Sequence, residues 1–366
     1  MKYKYPIYIP YLKGNEKKFV NECLDSTWIS SKGKFVELFE TEFSKYLDIN
    51  HSATVSNGTV ALHLALLTIG IGPGDEVIVP TFTYIASVNS ITYTGATPVF
   101  VDSVHDTWQM DPDDVRRKIT PRSKAIMPVH LYGHPCDMDA LTKIARENDL
   151  YVIEDCAEAF GTKYKGQFAG TFGDIACFSF FGNKTITTGE GGMISTNDKG
   201  LYDRAVHLKG QGLASQQEYW HDAIGYNYRM TNICAAIGLA QLEIAEDIII
   251  RKRRLANWYF KHLAGLPIDF QKETEDIFHT YWMITIMVNS AEQRHELREH
   301  LKATGIETRP TFFPAHTMPM YLSDNGKFPV AEDIAYRGIN LPSYPDLTEK
   351  DVLYISKRIK EYYERE

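Results

Sequence analysis

The residues of this chain that could do chemistry sit where apolar runs stop. In "CFSFFGNKTITTGEGG" an aromatic run ends and Lys184 follows, in Thr- and Gly-rich sequence that no helix favours. A lysine at the edge of an apolar strand is partly desolvated and its amine pKa is drawn down, which suits Schiff-base chemistry. The plainer reading is a side chain that snorkels into water. In "ATVSNGTVALHLAL" a strand ends at Ser56-Asn57-Gly58-Thr59 and a helix begins at once. A helix N-terminus offers free amides and a positive dipole end to a phosphate; Gly58 lets the backbone come close and Thr59 adds a hydroxyl. A simple helix cap would need the same residues. In "YVIEDCAEAFG" two acids stand where a buried strand reaches its C-terminal end, the place where open α/β sheets bind ligands. Glu154 and Asp155 face opposite ways, so one carboxylate can aim into a site and hold a protonated ring nitrogen. A structural cap for the turn that follows is the alternative.

Taken together, a phosphate cradle, a carboxylate and a lysine at strand ends of one sheet are what a pyridoxal phosphate site requires. The phosphate anchors, the acid keeps the ring nitrogen protonated, and the lysine holds the aldehyde and moves protons. An aromatic to face the ring is supplied by Tyr84 in "PTFTYIAS".

The elements that must position these residues follow from the hydrophobic pattern. From about residue 50, apolar runs such as "DEVIVP", "TPVFVD", "KAIMPVHL" and "LYVIED" alternate with amphipathic helical segments. Runs without clean alternation suit strands buried on both faces, hence a mostly parallel sheet wrapped by helices. "IACFSFF" and "GGMISTND" follow each other with no helix-length segment between, so this end of the sheet is wound differently. A long helical stretch, "TNICAAIGLAQLEIAEDIIIRKRRLANWYFKHLAG", leads out into strand, helix, strand, helix. The expectation is a large α/β domain over residues 1–245, with an N-terminal arm, and a small α+β domain over 246–366.

Composition excludes several classes. The 366 residues are 44% hydrophobic and 23% charged, and a net charge of -8 argues against nucleic acid as the main partner. The basic turn "RKRR" (251–254) reads as a solvated or subunit-facing stretch of helix. Five cysteines without CxxC spacing suggest neither a disulfide framework nor a zinc site. "HELREH" spaces His295 and His300 five apart, on different helix faces, so no metal is expected. "GIGPGD" and "GEGGM" miss the dinucleotide-binding spacing, and no nucleoside-triphosphate loop is present. Neither a signal peptide nor a membrane span is expected, and the protein reads as cytoplasmic.

"SNGTVALHLAL", "EVIVPTFTYIAS", "VIEDCAEAFG", "FGDIACFSFFGNKTITTGEGGM", "GYNYRMTNICAAIGLAQLE" and "RPTFFPAHTMPMY" fall in one order along the chain. In that order the chain resembles the nucleotide-sugar aminotransferases of the DegT/StrS type, which have the aspartate aminotransferase fold (fold type I). The resemblance implies pyridoxal 5′-phosphate as cofactor, with Lys184 as Schiff-base lysine and acid/base. It implies Asp155 at the ring nitrogen, Tyr84 on the ring, and Gly58, Thr59 and Ser179 at the phosphate. Asn227 would reach the phosphate from a second subunit, making the sites those of a homodimer. Glu158 stands where many relatives carry Gln or His near the ring's 3′ oxygen. Arg309, His316 and Tyr321 would lie at the sugar-nucleotide end. Within the family the chain is most similar to enzymes that use L-glutamate to aminate C4 of GDP-4-keto-6-deoxy-D-mannose for surface polysaccharide. Another UDP- or dTDP-linked keto sugar, or a catalytically silent homologue, is the alternative. Related sugar dehydratases carry histidine in place of the lysine, and Lys184 speaks against that chemistry.

Overall fold

The unalternating apolar runs become strands of one sheet. The computed structural model describes residues 3–322 and 326–364. Two helices come first, α1 (Glu16–Asp25) and α2 (Lys34–Leu47). Then strand and helix alternate: β1 (His51–Val55), α3 (Gly58–Thr68), β2 (Glu76–Pro80), α4 (Ile85–Tyr93), β3 (Thr97–Val101), α5 (Pro112–Lys118), β4 (Ser123–Ile126), α6 (Met138–Glu147) and β5 (Tyr151–Asp155). A short hairpin, β6 (Lys163–Tyr164) and β7 (Gln167–Phe168), precedes β8 (Ile175–Ser179) and β9 (Gly192–Thr196). The sheet runs β1-β9-β8-β5-β4-β2-β3, parallel throughout except for β9. Because β9 is antiparallel to both β8 and β1, those two run the same way. The ends of β1, β2, β5 and β8 therefore open on one edge of the sheet. The segment 180–191 between β8 and β9 forms no helix, the usual vehicle of a parallel crossover, and the chain returns antiparallel to β8.

Alternation along two strands aims the chemistry. On β8, Phe178 and, just beyond the strand end, Phe180 enter a core with Phe39 and Phe43 of α2, while Ile175 and Cys177 enter the core under α3. Period two carries Ser179 to the α3 side. On β5, Ile153 packs under α3, so Asp155 shares that face and Glu154 takes the other. Each fully buried phenylalanine contributes about 2 kcal/mol relative to exposure, so the strand's rotation is firmly set.

The chain then runs through α7 (Lys199–Lys209), α8 (Asn232–Glu243) and α9 (Ala245–Leu263). The expected single long helix is broken at Ile244, whose backbone (φ -112°, ψ 11°) ends α8 and starts α9. The break leaves α8 on α1 and α2 and sends α9 toward the C-terminal unit. That unit follows β10 (Ile277–Phe278), which pairs with β6. It comprises β11 (Ile284–Met287), α10 (Ala291–Ala303), β12 (Arg309–Pro310), α11 (Pro329–Arg337), β13 (Gly338–Leu341) and α12 (Glu349–Tyr363), with sheet order β11-β13-β12. The N-terminal arm lies on this unit: Tyr5 Oη donates to Asp351 at 3.1 Å and the Ile7 amide to Glu307 at 2.8 Å. Among the described residues no helix is long and apolar enough to cross a membrane.

Candidate active site

A cavity of about 560 Å³ opens at the shared strand edge, a size that suits a small-molecule site. Gly58, Thr59, Tyr84, Asp155, Glu158, Ser179, Lys184 and Arg309 all line it. Its floor is formed where α3 meets β8. Asn57 caps α3 by accepting from the Val60 amide at 3.0 Å, which leaves the amides of Gly58 and Thr59 at the open first turn. A Cβ on Gly58 would fall 2.7 Å from the Ser179 Cβ, so the turn and the strand end meet closely because residue 58 has no side chain. Two first-turn amides and two hydroxyls, Thr59 and Ser179, are grouped there as a phosphate cradle requires.

Asp155 is buried and held from two sides. Ser87 Oγ donates to Oδ2 at 2.7 Å and the Ala157 amide to Oδ1 at 3.0 Å. Ser87 is in turn 3.0 Å from Thr83 Oγ1. Burial pushes the Asp155 carboxyl above its ordinary value, against those donors and the Lys184 charge. A cationic partner in the cavity would reverse that shift. Glu154, facing away, accepts the amides of Gly170 (2.8 Å), Phe172 (2.8 Å) and Gly173 (2.7 Å) and faces His130 Nε2 at 3.0 Å. His130 Nδ1 accepts the Cys136 amide, so its proton is on Nε2. His130, Glu154 and Cys156 come close enough to suggest a metal, yet these donors already occupy the carboxylate. The knot fixes the strand that carries Asp155.

Lys184 reaches the cavity from a turn beyond β8, with its amide bonded to Phe181 O at 2.9 Å. Its side chain is 13% exposed, and Nζ lies 3.7 Å from Glu158 Oε1. Burial draws the amine below its ordinary value, against the pull of Glu158 and Asp155. Burial lifts the Glu158 carboxyl to about 7, offset by Lys184 and by the Tyr132 amide, which donates to Oε2 at 2.9 Å. Tyr132 itself sits at φ 60°, a conformation uncommon for a bulky residue.

Tyr84, the residue just before α4, stands at the cavity lip, 57% exposed, its ring 5.7 Å from that of Phe312. Arg309 lines the mouth, with its guanidinium 3.6 Å from Glu307. Asn227 is exposed and away from the cavity of its own chain. Two of the expected residues stand outside this lining. His316 does not line the cavity: its Nδ1 is 2.7 Å from Thr81 Oγ1 and its Nε2 3.3 Å from Glu332, so it pins this segment to β2. Tyr321 does not either, because its hydroxyl is tied to Asn89 (2.7 Å) and Thr92 (3.0 Å) on α4.

Sequence reasoning missed Ser87, Tyr8, Tyr132 and Trp282. Ser87 carried a signal, standing one helical turn after Tyr84. Tyr8 and Trp282 carried none, since an aromatic in an apolar stretch reads as core.

Residues 10–360 match the DegT/DnrJ/EryC1/StrS aminotransferase family. The chain belongs to that family. It is 63% identical over 363 residues to a GDP-perosamine synthase of Escherichia coli O157:H7, covering 99% of each chain. It is 51% identical to a GDP-perosamine synthase of Vibrio cholerae, covering 98% of this chain and 99% of that one. The structure of Streptomyces venezuelae DesV in complex with a ketimine intermediate superposes with a TM-score of 0.93, at 37% identity and 100% of both chains. This protein is accordingly an aminotransferase that depends on pyridoxal phosphate, and the donors grouped around its cavity fit that cofactor.

Proposed function

We propose that the protein transfers the amino group of L-glutamate to C4 of GDP-4-keto-6-deoxy-D-mannose, yielding GDP-perosamine and 2-oxoglutarate for surface polysaccharide. The observation that carries the substrate is 63% identity, end to end, to a GDP-perosamine synthase. The observation that carries the chemistry is Lys184 facing Glu158 in one cavity that Asp155 also lines.

Pyridoxal 5′-phosphate, when bound, supplies the aldehyde and the electron sink that make an amine's Cα–H bond acidic. The first turn of α3 and the hydroxyls of Thr59 and Ser179 would hold its phosphate. Asp155, its orientation fixed by Ser87 and Ala157, would hold the positive ring nitrogen. Lys184 Nζ takes the proton from the glutamate Cα and, in the second half of the cycle, returns one at the sugar C4. Its lowered pKa keeps more of the amine neutral and ready to act as base. Glu158 then faces the ammonium that forms. Arg309 at the mouth offers a positive charge to the carboxylates of glutamate or the diphosphate of the nucleotide sugar. Exposed Asn227 is read as completing the site of a second subunit.

The test offers purified protein GDP- and UDP-linked 4-keto-6-deoxy sugars with glutamate. The expected outcome is an aminated GDP sugar, with Lys184→Ala losing both product and the visible absorbance of the bound cofactor. Rapid turnover of a UDP-linked sugar alone would overturn the substrate and leave the aminotransferase standing.

A further inference from the structure

Two carbonyls of the Lys184 turn are gripped from outside the large sheet. Trp282 Nε1 donates to Asn183 O at 2.7 Å, and Tyr8 Oη donates to Lys184 O at 2.9 Å. A buried tryptophan needs an acceptor for its N–H, and this one finds it on the residue next to the reactive lysine. The same indole turns its face to the amine: Lys184 Nζ lies 4.1 Å from the ring centre. Trp282 is 5% exposed and is the first ring of a stack, parallel to Tyr132 (6.1 Å between centres, 10°), which is parallel to Phe312 (5.5 Å, 11°). Tyr132, the middle ring of the stack, is also the residue whose backbone amide holds Glu158.

The geometry around Nζ is that of a temporary seat. The nearest carboxylate oxygen, on Glu158, is 3.7 Å away, beyond hydrogen-bond length. The amine is therefore held by a π face and by Coulomb attraction, neither of which has to be broken as a directed bond when it leaves. Transamination requires both conditions of the amine, bonded to the cofactor's aldehyde carbon and free.

We propose that Trp282 is a positioning residue for Lys184: its ring seats the free amine during the half-cycle in which the lysine is not bonded, while its N–H fixes the turn that carries the lysine. This rests on the aminotransferase reading above. The groups facing the amine are Glu158 and Asp155, with the Tyr8 hydroxyl on the Lys184 carbonyl and Lys252 Nζ 5.1 Å behind the Tyr8 ring. A ring face favours the charged amine, so removing it must lower the amine's pKa.

The experiment loads the protein directly with pyridoxamine phosphate, which leaves Lys184 free without requiring glutamate to turn over. Competitive acylation read by mass spectrometry across pH then gives the Lys184 pKa. Trp282→Leu should lower it by about one pH unit, whereas Trp282→Phe, which keeps a face and loses the N–H, should stay near the parent. No change in Trp282→Leu, or an equal fall in both variants, overturns the proposal. Should Trp282→Leu fail to fold, the native side chain decides through fluorine NMR of 5-fluorotryptophan protein in a Glu158→Gln background. The Trp282 resonance should titrate there and stop titrating when Lys184→Met is added; a titration that survives Lys184→Met overturns the seat. Failure of glutamate to bleach the visible band of the pyridoxal form would count against the function instead, and is read separately.

Discussion

At the scale of single residues, Glu158 is a cavity carboxyl whose charge changes near neutral pH. Burial raises its carboxyl to about 7, and Lys184 sits 3.7 Å away. Below that pH it is neutral and does nothing for a lysine ammonium; above it, it is an anion that stabilises one. The rate under subsaturating glutamate should therefore rise through about pH 7. Glu158→Gln should lose that inflection and run about tenfold slower at pH 8, equivalent to one pKa unit on the lysine. An inflection that persists in Glu158→Gln assigns it to another group. Asp155 lends itself to a harsher test. Asp155→Asn keeps the Ser87 contact but removes the charge facing the ring nitrogen, and kcat should fall on the order of 100-fold with the variant still folded. The alternation of "VIED" set these acids on opposite faces without saying which of them faces the cavity. Glu154 is locked by three amides and His130, and Asp155 faces the cavity.

Among elements, the decisive contact joins the N-terminus of α3 to the end of β8. The sequence marks both partners, Gly58 in a strand-to-helix turn and Ser179 on an apolar strand. Their meeting is not legible, because it depends on β9 being inserted between β1 and β8. A one-residue slip of β8 would exchange Ser179 with Phe178 or Phe180 and put a ring where the cradle lies. Gly58→Ala tests the contact directly. The new Cβ would lie 2.7 Å from that of Ser179, a contact with no flexible side-chain end to swing away, between two elements that share a buried core, so neither yields cheaply. The expected cost is about 1–3 kcal/mol of stability, together with at least tenfold weaker retention of the cofactor on dialysis. Gly70→Ala, at a site with open space around it, is a poor control because its φ is +84°; Gly72→Ala, with open space and no positive φ, is the better one. The break at Ile244 was equally hidden, since both halves of that stretch are good helix on their own.

Across the whole molecule, the piece the sequence disguised is the junction of the N-terminal arm, α9 and the C-terminal unit. "RKRR" looks like a surface turn, and three of its members behave that way: Arg251 pairs with Asp247 (2.7 Å), Arg253 with Glu273 (2.7 Å), and Arg254 lies over Trp258. Lys252 does not. It falls on the stripe of Ile248, Leu255 and Tyr259, is fully buried, and donates to Ser343 O, with no carboxylate paired to it among the described residues. Helical spacing from Ile248 would have revealed it, but four consecutive charges drew the reading outward. Desolvation lowers the amine from its ordinary 10.5 to about 7. Between those two values the unfolded chain binds a proton that the folded chain does not, so stability contributed through this residue rises with pH from about 7 to about 10.5. Below about 7 both states are protonated and the burial penalty is carried in full. Lys252→Met fills the same volume without a charge, at a cost of about 1 kcal/mol for the unpaired Ser343 carbonyl. The parent's denaturation midpoint should therefore climb relative to the variant's as pH goes from 7 to 9.5, with the variant as stable or more stable at pH 6.5. If the two midpoints stay parallel across that range, Lys252 keeps an ordinary pKa in the folded protein, and the junction is held by a hydrated or otherwise compensated ammonium.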